Sequence, residues 1–505
     1  MKNSITGIFC VAIICLLLFA SCQGQIKDKA QPVVRHGVLD LTNWDLSADG
    51  PVDLAGQWEF YWQKQIAPQR FTTDSPPAKT GFIRLPGYWN EYLVNGRPLA
   101  GSGFATYRLT ILLGTRQNSS LAFKFMDISA AFSFYVNNRE ICSAGLAGTT
   151  PSTTAPESRP MVVDFKPEAD RLEVVFHISN FHHRLGGPWE AILFGREADL
   201  RKIQEQHFAL VLFLSGGIAI MGLNYLCFFI IRKKERSFFY FAICCFLIVL
   251  RLTVTGERYL LHLVPAISWE LMYKMEYLSF YLTVPAFAMF IHSLFPQQFS
   301  RYVLRVLQSM GLIFSAIVLL SPAIFFSHTV TSYYIIAMTG CVYGVYVLIL
   351  SNKKKNEGAL ICFIGFCILA FTVLNDILYS TTIIHIGYLA PLGLLGFMLS
   401  QAVILATRFS KAFTTVERQY GELTKTNAAY KYELTERRRV EKDLRQYRDH
   451  LKDMVREQTS ELTSANQRLQ KEVGERKRSE AALTESRQLF DSFMEHLPAP
   501  AFIKD

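Results

Sequence analysis

Four ionisable side chains interrupt otherwise apolar stretches of this chain: Arg251, Lys274, Glu276 and Asp376. A charge in hydrocarbon is costly, so such residues are kept for pairing, proton movement or switching. Under the topology derived below all four fall at similar depth, near the outer ends of their segments. Arg251 is expected to pair with Glu276 or Asp376 in a polar cluster; the competing reading is a structural ion pair, or side chains that reach back to the surface. A second group could recognise a small molecule. Trp89 and Trp189 stand beside turn residues, where an indole can stack on the apolar face of a sugar ring and donate its N–H, and His182, His183 and Arg184 lie close by in sequence. Trp58, Phe60 and Trp62 share one face of a strand and read as core. His182 and His183, adjacent on a strand, point to opposite faces, and no Cys or carboxylate nearby completes a ligand set, so no metal is expected.

A glycosidase needs two carboxylates across one cleft. Glu59, Glu91, Asp127, Glu140 and Glu190 are available, but no pair stands out. Beyond Arg408 there is no Gly-rich nucleotide loop, and His450 and His496 lack the sequence context of a phosphoacceptor. No catalytic residue and no cofactor is assigned.

The elements that must position these residues are dominated by seven apolar stretches: Phe208 to Ile231, Ser237 to Gly256, Trp269 to Phe295, Val306 to Phe326, Thr329 to Asn352, Gly358 to Tyr379 and Ile386 to Thr407. Each is near the roughly 20 residues that a helix needs to cross ~30 Å of hydrocarbon. An odd number puts the two flanks on opposite sides. Arg232, Lys233, Lys234, Arg236, Arg301, Arg305, Lys353, Lys354 and Lys355 lie in the loops after spans one, three and five, whereas the alternate loops hold only Arg258. Positive loops stay inside, so the C-terminal tail is expected in the cytoplasm and the N-terminal region outside. Seven buried helices of a soluble protein would leave the basic clusters unexplained. Lys2, the apolar run Ile5 to Phe19, and Ala20, Ser21 and Cys22 read as an export signal over 1–22, with Cys22 a candidate lipidation site. The net charge of +10 is spread over the membrane loops and the tail rather than gathered in a patch, and no nucleic-acid partner is expected. Most of the ten Cys fall in the signal or the spans, which excludes a disulfide framework.

After a linker at 23–36, residues 37–198 alternate with a period of two. Tyr107, Leu109, Ile111 and Leu113 form one apolar row, and Leu172, Val174, Phe176 and Ile178 another. Turn residues separate several such runs, as in an antiparallel sandwich. The segments LAGQWEFYW (Leu54 to Trp62), LPGYWN (Leu85 to Asn90), GFATYRL (Gly103 to Leu109), FYVNN (Phe134 to Asn138) and GGPWEAILFG (Gly186 to Gly195) resemble the jelly-roll sensor domain of the bacterial seven-transmembrane receptors with diverse intracellular signalling modules. The sandwich is also similar to the sugar-binding jelly rolls of beta-galactosidase-type hydrolases, whose catalysis belongs to a different domain. The resemblance implies an extracytoplasmic sensor of a small molecule, with carbohydrate as the suspected class, above a seven-helix domain at 205–409.

Residues 410–488 turn polar, with Leu444, Leu451, Val455, Leu462, Leu469 and Val473 spaced by sevens and fours, the rhythm of a coiled-coil seam. A homodimer is the expected consequence. Residues 489–505 resemble the opening of a PAS domain, and the family's architecture implies an output module such as a sensor histidine kinase of a two-component system. The expected fold class is thus a multidomain membrane protein: an all-β jelly-roll ectodomain, a seven-helix transmembrane bundle and a long cytoplasmic coiled coil. The expected place is the bacterial plasma (inner) membrane, crossed many times, with a downstream signalling partner inside. The competing classes are a membrane-anchored carbohydrate-binding protein without signalling, and a transporter, whose helices Pro265, Pro285, Pro391, Gly216, Gly217, Gly393 and Gly396 could break.

Overall fold

The computed structural model describes residues 29–73, 76–114, 119–128, 130–356, 358–381, 388–454 and 461–495. The export signal with Cys22, residues 496–505 of the PAS-like opening and Val455 of the seam lie outside the described residues. The chain divides into two compact units, Met1–Ile404 and Leu405–Asp505, each described by itself.

The first unit begins with strands β1 (Val38–Leu41), β2 (Val52–Asp53), β3 (Gly56–Trp62), β4 (Gly81–Leu85), β5 (Leu93–Val94), β6 (Arg97–Pro98) and β7 (Gly103–Leu113). It continues with β8 (Leu121–Phe125), β9 (Ala131–Val136), β10 (Arg139–Ala144), β11 (Met161–Phe165), β12 (Arg171–Asn180) and β13 (Leu193–Arg196). One sheet runs β10-β9-β12-β7-β3-β4, with β1 parallel to β7; a second runs β11-β8-β13-β2, and β5 and β6 form a small ribbon. The period-two rows meet as the alternation requires: Phe176 lies opposite Tyr107 in the ladder, and Phe60 opposite Tyr107 from the other side. Phe123 of the smaller sheet stands 4.9 Å from Phe134 of the larger, so the two sheets share one aromatic core. Trp58 and Trp89 are fully buried in it, with N–H groups satisfied by the carbonyls of Leu54 and of Ala100 and Gly101. Each such indole removes roughly 200 Å² from water, a gross gain of about 5 kcal/mol.

Strand β8 departs from simple alternation. Leu121, Phe123 and Phe125 face the core, but Ala122 and Lys124 on the other face are buried too. A sandwich standing alone would expose that face. Here the helical domain covers it.

Seven long helices follow: α1 (Glu197–Ile231), α2 (Arg236–Val254), α3 (Trp269–Leu294), α4 (Arg301–Leu320), α5 (Thr329–Lys353), α6 (Ala359–Ser380) and α7 (Ala390–Met454). All seven are long and apolar enough to cross a membrane. Only 22% to 44% of each apolar window is buried, and Leu312, Leu320, Ile335 and Phe371 among others face outward. So much exposed apolar surface is incompatible with seven buried helices of a soluble protein and fits a bundle solvated by lipid. The chain is a multi-pass membrane protein. Helix α1 starts at Glu197, directly after β13 and earlier than the apolar stretch, because Glu197 and Asp199 favour the helix start and the Arg201–Glu197 pair supports its first turns. Gly393, one of the residues that could have served as a helix breaker, lies inside α7 where a Cβ would meet Thr372 Oγ1 at 1.9 Å. It permits close helix packing.

In the second unit, α8 (Glu461–Glu495) follows the end of α7. Arg437 approaches Glu472 at 3.5 Å. Leu469 and Val473 remain half exposed.

Candidate functional site

The connection between α2 and α3 carries Glu257 and Arg258, both almost completely buried. Gly256 and Arg258 have left-handed φ angles of 61° and 49°. For arginine that conformation is strained, so surrounding contacts must hold it. Arg258 Nη2 lies 2.5 Å from Asp127 Oδ2 and 3.1 Å from Glu276 Oε2, while Nη1 donates to the Val254 carbonyl at 3.1 Å. Its guanidinium also covers the ring of Tyr273 at 4.6 Å. Asp127, just after β8, accepts in addition from the hydroxyls of Tyr273, at 2.7 Å, and Ser158. Next to this pair stands its mirror in sign. Lys124 of β8 donates to Glu257 Oε1, which His207 of α1 also approaches at 3.1 Å. Two buried ion pairs of opposite polarity thus join the β-domain to one helical connection.

The electrostatics follow from this enclosure. Burial alone raises a carboxyl's pKa. For Asp127 the Arg258 charge and the hydrogen bonds from Ser158, Tyr273 and Arg258 outweigh burial and hold it at about 2. Glu257 is likewise lowered, its burial outweighed by His207 and Lys124. Arg258 is raised, because its own desolvation is overcome by the charges of Asp127 and Glu276 and the hydrogen bond to Asp127.

Beside the pairs lies a polar cavity of about 80 Å³, bordered by Tyr88, His183, Arg184, Trp189, Arg251 and Glu276. It brings together residues from both candidate groups. Asn180 shapes the loop that supplies them, donating to the carbonyls of Gly101, His183 and Leu185 and accepting from the His183 N–H. Burial pushes the His183 ring down to about 4, so it is neutral at pH 7. Trp189 meets Tyr379 edge-on at 6.1 Å. Burial pushes the neighbouring Glu190 carboxyl up to about 8, with Asp127 adding to the rise and the hydrogen bond to Tyr379 opposing it.

Other candidates are placed differently. Trp89 lies in the core with no exposed face, so it offers no stacking surface; its neighbouring turn residues had hidden a packing role. His182 turns away from the cavity toward Trp269, at 6.3 Å. Arg251 makes no direct ion pair with Glu276 or Asp376: Nη1 donates to the Glu276 carbonyl at 3.3 Å and the guanidinium lies over Phe280. The Glu276 carboxylate goes to Arg258 instead, and Asp376 accepts the N–H groups of Leu389 and Ala390 at the head of α7. Lys274 stands outside the cluster, paired with Glu270 at 3.0 Å. Sequence reasoning missed Lys124, Asp127, Glu257 and Arg258 as a set. The available signal was the acid–base couplet Glu257–Arg258 in a loop otherwise poor in charge.

The comparisons with known proteins bear on the helical part. Residues 207–408 match the family model described as 7TM diverse intracellular signalling. These residues belong to that family of transmembrane signalling receptors. The matched span takes in His207, the Glu257–Arg258 connection, Arg251, Glu276 and Asp376, so the helical side of both the ion pairs and the cavity lies within the seven-transmembrane signalling domain. No curated protein matches the chain. Among solved structures it is similar to β-glucuronidase from Ruminococcus gnavus, in complex with uronic deoxynojirimycin or with D-glucaro 1,5-lactone, at 16% identity and a TM-score of 0.23. Those matches cover 29% of this chain and 29% of the enzyme, so the chain spans under a third of that relative's length.

Proposed function

We propose that this receptor senses a small molecule through an exported jelly-roll head and relays its occupancy through seven helices to the tail. Carbohydrate is the proposed class for the head, resting on the resemblance of its sequence segments to jelly-roll sensors. The tail is proposed to be cytoplasmic, to dimerise through a coiled coil, and to drive a PAS-linked output module of histidine-kinase type; the membrane is the bacterial inner membrane, reached by way of an export signal. The observation that carries the relay is the pair of buried bridges, Lys124–Glu257 and Asp127–Arg258, which fasten β8 and the second residue after it to the α2–α3 connection. A ligand can drive the helices only through different affinity for two of their arrangements, and a charged joint that is either made or broken provides two.

The test uses the full chain in lipid nanodiscs, with limited proteolysis of residues 410–488 as readout. Asp127→Asn and Arg258→Gln should each alter the cleavage pattern of the tail. An unchanged pattern in correctly inserted variants rejects the relay. A glycan panel scored by thermal stabilisation addresses the ligand class, and reporter fusions at Gly145 and Gln458 should fall on opposite sides of the membrane.

A further inference from the structure

Two of the three guanidiniums around the cavity make no direct ion pair, although its three carboxylates, Asp127, Glu276 and Asp376, balance the three in number. Arg258 takes both Asp127 and Glu276, and Asp376 is held by backbone N–H groups. Among the described residues neither Arg184 nor Arg251 forms an ion pair, and the buried Nε of Arg184 has no hydrogen-bond partner. Both residues are half-buried, and the unpartnered N–H of Arg184 favours an incoming acceptor. The polar cavity also continues downward. Arg251, Phe280, Tyr334, Ser380 and Tyr388 border both it and a second cavity of about 180 Å³ inside the bundle, whose walls are mostly apolar, among them Phe287, Phe366, Leu369 and Val373, with Asp376 also in the lining.

We propose that this joined space binds an amphiphilic carboxylate, with its head between Arg184 and Arg251 and its apolar body among α2, α3, α5 and α6. The planar fork of a guanidinium matches the two oxygens of a carboxylate. A cavity of about 150 Å³ holds a benzene ring, so the lower space accepts a phenyl group or a short alkyl chain. The hydroxyls of a sugar would find few partners there, and a two-chain phospholipid is too large. Because Arg184 belongs to the β-domain and Arg251 to α2, the bound acid would bridge the two and shift the balance between their arrangements. His183, Arg184 and Trp189, which the sequence offered as a sugar site, border this same cavity, so the acid takes the place of a sugar here.

The probe is 3-phenylpropionate, titrated into the full chain in nanodiscs with melting temperature as readout; 3-phenylpropan-1-ol and acetate are the controls. The acid should stabilise the protein with an apparent affinity at least about ten-fold above either control. Arg184→Met and Arg251→Met should each weaken it by about ten-fold or more. Gly340→Leu, which occupies the apolar cavity without touching either arginine, should abolish the response; it also serves if an arginine variant does not insert. Equal stabilisation by acid and alcohol overturns the proposal, as does wild-type affinity in the double arginine variant or in Gly340→Leu. No shift with the acid at millimolar concentration overturns it too.

Discussion

In the β-sandwich the large side chains turn inward and meet one another, with Phe123, Phe134 and Phe176 in ring contact and Trp58 and Trp89 fully enclosed. In the helical bundle the distribution is reversed: Leu320 and Phe371 face outward, and a cavity of about 180 Å³ is kept inside. Dense packing resists small displacements, whereas a bundle with internal space can exchange one packing for another. The comparison assigns the denser packing to the head and the spare room to the helices, with the charged joint between them.

The comparison is broken most directly in the head. Trp89→Ala should cost about 3–5 kcal/mol, as expected for a large aromatic removed from a rigid core, measured by chemical denaturation of the full chain; a loss under about 1 kcal/mol would show a core able to collapse. At the joint, Arg258→Met should cost about 3–5 kcal/mol by leaving Asp127 and Glu276 buried without their cation. Pairing it with Asp127→Leu should recover part of that loss, and a double-mutant cycle gives the coupling.

The pH dependence sharpens the picture of the joint. Asp127 has a folded-state pKa of about 2 against an ordinary value of 3.8. Its contribution, about 2 kcal/mol, is present above the ordinary value and is lost as the pH falls through the folded one. Melting curves of the wild type should show that loss between roughly pH 4 and 2, and Asp127→Asn should lack it. Glu190 has the opposite sign. Its pKa rises from 4.5 to about 8, so its stabilising proton is held below the ordinary value and lost as the pH climbs toward 8. Glu190→Gln should remove the decline on the alkaline side. The smallest effect belongs to the bundle: at Gly340 a Cβ would meet Val284 and Leu307 at 3.7 and 3.9 Å, ordinary contact distances. Gly340→Ala should therefore stabilise by about 1 kcal/mol through helix propensity alone, and a loss instead would mean that the cavity beside it is already tight.

The periodic features of this protein were legible in its sequence. The rows Tyr107 to Leu113 and Leu172 to Ile178, the core role of Trp58 and Phe60, and the seven spans all follow from spacing that is local in the chain. The joint was not legible, because Asp127 and Arg258 are 131 residues apart and only the fold brings them together. Arg258 registered only as one positive loop residue, a count that carries topology and no partner. Trp89 misled for the reverse reason: turn residues on either side suggested the surface, while a single 3-10 turn at Trp89–Glu91 tips the indole inward. Arg251 lies beside Glu276, but it meets the carbonyl rather than the carboxylate, and no ion pair forms. Spacing along helices cannot distinguish the two.

The alternation of sign across the joint restricts how the β-domain can move. Lys124 and Asp127 on one side face Glu257 and Arg258 on the other, so the connector is keyed. Sliding it by one notch would set Lys124 against Arg258, and two like charges at about 4 Å repel by roughly 4 kcal/mol near a protein surface. Gradual ratcheting is thereby blocked. Under the proposed relay the head would sit in its socket or leave it, a choice of two states with none between.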